Sequence, residues 1–151
     1  MRPTAVPSQN KTAHPARKSR VFLVDGQPLR LRGMAEGLGT EPDLAGCGQA
    51  GSAAAALAAL AGAHPDLVIV DLSLPGRDGL ALIKDLKARM PALPVLVFSM
   101  HAESLYAARA LQAGAMGYVM QSASAETLFQ AIRTAMAGAL VVGPRRLRRW
   151  G

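Results

Sequence analysis

The 151-residue chain has a single cysteine, Cys47, which excludes an internal disulfide and suits a reducing compartment. No histidine or lysine lies near Cys47 in sequence, so it reads as a small apolar filler rather than a reactive thiol. No run approaches the roughly 20 apolar residues that cross a bilayer. The polar N-terminus lacks the apolar centre of a signal peptide, and a cytoplasmic protein is expected. The three histidines, His14, His64 and His101, show no metal-ligand spacing. The net charge of +7 does not belong to the body of the chain. Five basic residues and no acid lie in residues 1–20, and four arginines lie in residues 143–151. Residues 21–142 hold eight basic and ten acidic residues. The basic stripe of a nucleic-acid-binding fold is therefore missing from the fold itself.

What is present is a regular alternation. Residues 1–19, with Pro3, Pro7 and Pro15 among polar residues, read as a disordered basic leader. Val21 to Val24 form a short strand ending at Asp25, and Pro28 opens a helix with Leu31, Met34, Ala35 and Leu38 on one face. A weak strand from Asp43 to Gly48 precedes an alanine-rich helix capped by Ser52. The strand Leu67 to Val70 runs into Asp71, and a helix from about Gly79 to Met90 follows. Val95 to Phe98 is a strand ending at Ser99, and Glu103 to Ala113 a helix. Gly117 to Met120 is the fifth strand, and Ser124 caps a helix that Gly138 ends. Its apolar face carries Leu128, Ile132, Ala135 and Met136, with Phe129 off that face and available to an interface. Five β-α repeats of this kind imply a parallel sheet covered on both faces.

In such a sheet, ligands collect at the carboxyl ends of the strands. Asp25, Asp71 and Ser99 each stand at one of those ends. Two carboxylates in close approach repel unless a proton or cation lies between them, and Mg²⁺ suits oxygen ligands. The competing reading is that both acids cap the following helices. The hydroxyl of Ser99 at the same edge favours a site.

The stretches V-F-L-V-D, V-I-V-D-L-S-L-P-G-R-D-G, V-L-V-F-S and G-A-M-G-Y-V, in that order and spacing, resemble the receiver domain of bacterial response regulators. Within that family the chain is most similar to the LuxR-type regulators, on S-L-P-G-R-D-G and Ser99-Met100-His101. The resemblance implies a flavodoxin-like, doubly wound α/β fold with five parallel strands in the order 2-1-3-4-5 and five helices, spanning residues 20–142. It implies a phosphoacceptor at Asp71, and a Mg²⁺ site from Asp25, Asp71 and the backbone carbonyl of Ser73. It further implies a switch built from Ser99 and Tyr118. Asp78 reads as a helix cap.

Two positions depart from the family pattern. Gly26 stands where a second acid is usual, and Gln121 where a lysine is usual. Gly26 should weaken the Mg²⁺ site, and Gln121, which carries no charge, should weaken the response to modification. The implied protein accepts phosphate on Asp71 in a phosphorelay, or acts through protein contacts independently of it. It turns over no diffusible substrate. Its partners would be a sensor histidine kinase or another signalling protein, with a homodimer possible and neither nucleic acid nor membrane bound through this domain. Residues 143–151 read as a basic tail. LuxR-type regulators continue here into a DNA-binding domain, so the chain is either a stand-alone receiver or lacks that domain. A reading from another class rests on Gly46, Gly48 and Gly51, a G-x-G-x-x-G with Asp71 20 residues beyond its last glycine. That is the fingerprint of a dinucleotide-binding Rossmann domain, although E-P-D-L-A is a poor strand to precede it.

Overall fold

The structure, a computed structural model, describes residues 17–141 and the backbone of residues 142 and 145–146. Strands β1 (Ser19–Val24), β2 (Leu44–Ala50), β3 (Leu67–Val70), β4 (Val95–Ser99) and β5 (Gly117–Met120) alternate with five helices. These are α1 (Pro28–Gly39), α2 (Ala53–Ala63), α3 (Gly79–Arg89), α4 (Glu103–Ala113) and α5 (Ala125–Met136). All five strands pair in parallel, in the expected order 2-1-3-4-5. Two short strands extend the β5 edge. β6 (Val141–Val142) pairs with β5 in parallel and β7 (Arg145–Arg146) turns back antiparallel, so part of the expected tail joins the sheet.

The period of two along each strand builds the two faces. Phe22, Val24, Val68, Val70, Val95 and Val97 point to one side, where α2, α3 and α4 cover them. Val21, Leu23, Leu67, Ile69, Leu96 and Phe98 point to the other, beneath α1 and α5. Both faces are apolar because both are covered, which is why these strands read as continuous hydrophobic runs. Burying each such side chain stabilises the fold by about 1.5–3 kcal/mol.

Start signals in the sequence match the helix ends. Pro28 opens α1, Ser52 Oγ accepts from Ala55 N at 3.2 Å, and Ser124 Oγ accepts from Thr127 N at 3.1 Å. Asp78 Oδ1 accepts from Ala81 N at 2.9 Å and caps α3.

Several details depart from the sequence reading. β1 begins at Ser19, inside the expected leader, because Ser19 N donates to Asp43 O at 2.9 Å and Arg20 N to Asp66 Oδ2 at 2.8 Å. Residues 1–16 of that leader lie outside the described residues. β2 runs from Leu44 to Ala50, two residues past the expected end at Gly48, with Gly46 and Gly48 inside the sheet. A Cβ on Gly48 would lie 2.7 Å from the ring of Phe22, so this glycine makes room for an aromatic on the neighbouring strand. The glycines do not form a strand-to-helix phosphate loop, and the dinucleotide-binding reading fails. Phe129 is not off the apolar face of α5. It is 6 % exposed and belongs to the core between α5, α1 and the sheet. Gly37 of α1 admits it, since a Cβ there would lie 3.2 Å from the ring tip.

Candidate functional site

The parallel ladder continues one residue past β1 and β3. Asp25 N donates to Ala50 O at 3.1 Å and Asp71 N to Val24 O at 2.9 Å, which fixes both acids at the carboxyl edge of the sheet. The loop after Asp71 turns into α3 in close contact. Gly79 N donates to Leu72 O at 2.9 Å, and a Cβ on Gly79 would lie 2.5 Å from Asp71 O. Only glycine allows α3 to begin against the backbone of the acid.

Both carboxylates are withdrawn from solvent, with Asp25 0 % and Asp71 2 % exposed. Asp25 Oδ1 accepts from Gln27 N at 2.8 Å, and its Oδ2 accepts from Arg30 Nε at 2.8 Å. A second nitrogen of Arg30 lies 3.9 Å from Asp71 Oδ2. Thus one guanidinium faces an oxygen of each acid. Asp71 Oδ1 is buried and has no hydrogen-bond partner among the described residues. Burial first, and the neighbouring charge of Asp25 second, push the Asp71 carboxyl above the usual carboxylate range. The backbone N–H groups of Ser73 and Leu72, and Arg30, oppose that rise.

Ser99 is buried at the end of β4, and its Oγ accepts from His101 N at 3.0 Å. The Tyr118 ring is fully buried, and its hydroxyl donates to His101 O at 2.8 Å. Burial raises the Tyr118 phenol above its ordinary range. The His101 ring meets Ser73 Oγ at 2.7 Å and packs on Tyr106 with centroids 4.9 Å apart. Gln121 spends its side-chain donor on Phe98 O at 3.1 Å, and its backbone N donates to Ser99 O at 2.8 Å. The Ser73 carbonyl stands beside Gly26, 3.6 Å from where a Cβ would be.

One edge of a doubly wound sheet thus gathers Asp25, Asp71 and Ser99, with Tyr118 joined to them through the loop at His101. The model of the response regulator receiver domain matches residues 21–133 of the chain. The chain belongs to the response regulator receiver family. It is 37 % identical over 119 residues to the DNA-binding transcriptional activator DevR/DosR of Mycobacterium tuberculosis, covering 79 % of this chain and 55 % of that protein. It is 28 % identical over 122 residues to the nitrate/nitrite response regulator NarL of Escherichia coli, covering 81 % of this chain and 56 % of that one. The receiver therefore spans about half the length of these curated relatives. Among solved structures, a LuxR-family two-component response regulator from Aurantimonas superposes with a TM-score of 0.79 at 33 % identity, over 82 % of this chain and 89 % of that one. The receiver domain of NarL from Mycobacterium tuberculosis gives a TM-score of 0.76 at 28 % identity, over 81 % of this chain and 98 % of that one.

Receiver domains generally bind Mg²⁺ at the acidic pocket, take their signal from histidine kinases, and in some cases dimerise. Among the described residues of this receiver, no group of three His, Cys, Asp or Glu is placed to hold a metal ion. None of its described helices is long and apolar enough to cross a membrane.

Two residues of the site were missed in the sequence. His101, which drew notice only as part of Ser99-Met100-His101 and for lacking metal-ligand spacing, is the link between Ser73, Ser99 and Tyr118. Arg30 gave a usable signal: a cation in the first turn of a helix that has no acid there, five residues after Asp25. The positive end of the helix dipole disfavours that position unless anions stand close by.

Proposed function

We propose that this receiver accepts a phosphoryl group on Asp71 and passes the change to a partner through the Ser99–Tyr118 element. The observation that carries the reading is the Asp71 carboxylate. It stands at the carboxyl end of the central strand β3, with Oδ2 facing a cation and Oδ1 without a hydrogen-bond partner among the described residues. An oxygen so placed can attack the phosphorus of a phosphohistidine: an O–P bond forms, the P–N bond breaks, and its electron pair returns to the imidazole. A sensor histidine kinase is the donor this chemistry calls for, with the reducing cytoplasm as the setting.

The residues do not fit a divalent cation as they are arranged. Two buried acids and the Ser73 carbonyl supply oxygens, but the Oδ2 atoms of both acids already face Arg30, and Gly26 contributes no third acid. The Mg²⁺ site, weakened by Gly26, is weakened again by Arg30.

A second reading is favoured by Tyr118. Its ring lies inside, held by the hydroxyl bond to His101 O. A ring fixed in this way by the backbone of the chain itself can shape a partner surface without modification. Phosphoryl transfer then tunes a standing interaction. Neither reading involves turnover of a diffusible substrate. Incubation with a small phosphodonor followed by intact mass, alongside Asp71→Asn, separates them. A single phosphoryl addition dependent on Asp71 supports the acceptor role, and an unmodified protein that still binds its partner supports the second.

A further inference from the structure

We propose that Arg30 is the resident cation of the acidic pocket: its guanidinium holds the place between the Asp25 and Asp71 carboxylates that a divalent ion would take. The pocket's charge balance is then independent of divalent cations. This deepens the receiver reading, on which it rests for the meaning of Asp71.

Three observations carry it. The guanidinium makes a 2.8 Å bond to Asp25 Oδ2 and places a second nitrogen 3.9 Å from Asp71 Oδ2, so one cation serves both acids. Acids as buried as these need a partner between them, because two like charges in a dry site raise each other's energy steeply. Arg30 is also the third residue of α1, where the helix dipole opposes a positive charge. Its side chain is only 28 % exposed, since it turns inward from that helix end to the two strand-end acids. The favourable charge contacts it gains there are with Asp25 and Asp71. Finally, Arg30 faces Oδ2 of Asp71, and Oδ1 has no hydrogen-bond partner among the described residues, so the cation sits by the acceptor without occupying its second oxygen. Arg30 is on this account a positioning residue for the acceptor.

The proposal is tested by Mn²⁺ titration, read from water-proton relaxation, of the wild type, Arg30→Leu, Arg30→Gln and Arg30→Lys. Circular dichroism first establishes that each variant is folded, and Arg30→Gln preserves reach and hydrogen bonding if Arg30→Leu is not. The wild type and Arg30→Lys should show no saturable binding at millimolar Mn²⁺. Arg30→Leu and Arg30→Gln should bind on the order of tenfold more tightly, because a like charge a few ångströms from the metal has been removed. A residue that merely supported the fold would not create a metal site on removal. Saturable wild-type binding below millimolar, or variants that bind no better than the wild type, would overturn the proposal. Labelling by a small phosphodonor with and without EDTA is read separately. Wild-type labelling should be unaffected by EDTA, whereas labelling of Arg30→Gln should come to depend on Mg²⁺. If no form labels at all, the acceptor reading of Asp71 falls, and the Mn²⁺ titration still decides the role of Arg30.

Discussion

Replacing Asp25 by asparagine keeps the shape of the side chain and removes its charge. The amide oxygen can still accept from Gln27 N, now at 2.8 Å, so the turn into α1 should survive. What disappears is the charged partner of Arg30 Nε. Removing one member of a fully buried ion pair costs 3–5 kcal/mol, because the other charge is stranded. Here the loss is smaller, since Arg30 keeps some solvent contact and can turn toward Asp71 Oδ2, 3.9 Å from it. We expect about 1–2 kcal/mol for Asp25→Asn, and a coupling of about 1 kcal/mol between Asp25→Asn and Arg30→Gln in a double-mutant cycle. Urea unfolding followed by circular dichroism would show the single-mutant loss as a midpoint lowered by about 0.5–1 M, for a slope near 2 kcal/mol/M. Losses that simply add, with coupling below about 0.3 kcal/mol, would mean that Arg30 does not neutralise Asp25 and that the contact at the pocket is incidental.

Phe129→Ala should cost about 3–5 kcal/mol, because the ring fills the space beside Gly37; a loss under about 1 kcal/mol by urea unfolding would place Phe129 at the surface instead. Gly48→Ala should cost about 1–3 kcal/mol in the same assay, since its Cβ would lie 2.7 Å from the Phe22 ring. The Asp43 carboxyl is held below the usual value of 3.8 by its hydrogen bonds from Arg133. Its contribution is therefore present above the unfolded-state value and disappears as pH falls through the folded one. The wild-type urea midpoint should drop slightly more than that of Arg133→Met as the pH is lowered below about 3.8, and parallel curves would contradict the pairing. Gly26→Asp with Gln121→Lys should raise phosphoryl incorporation on Asp71, as judged by intact mass. The gain should be limited while Arg30 remains, and because a Cβ on Gly26 meets Pro75 Cδ at 3.1 Å.

The strands and the acids at their ends are legible because they depend on period and punctuation, whereas the strand order 2-1-3-4-5 comes only with the family resemblance. Val21 to Val24 and Leu67 to Val70 are unbroken apolar runs that stop at an acid, and Pro28, Ser52, Asp78 and Ser124 announce helices. Contacts between elements distant in sequence were not legible. Phe129 was misjudged because a helical wheel cannot show that Gly37, on another helix, opens a slot for its ring. β2 runs on through Gln49 and Ala50 because Leu23 and Val24 of β1 supply their ladder partners, a pairing that no local pattern shows. His101 carries no local pattern, and its role comes from Ser73 and Tyr118 converging on it. Arg30 has a signal in α1, but its two acids come together only when the ends of β1 and β3 are set side by side.

Asp71 as acceptor is tested most directly by the intact mass of the protein after prolonged incubation with a small phosphodonor. One phosphoryl addition should accumulate slowly, need no divalent cation, and be absent from Asp71→Asn. Addition that persists in Asp71→Asn, or rapid and complete labelling strictly dependent on Mg²⁺, would contradict this expectation.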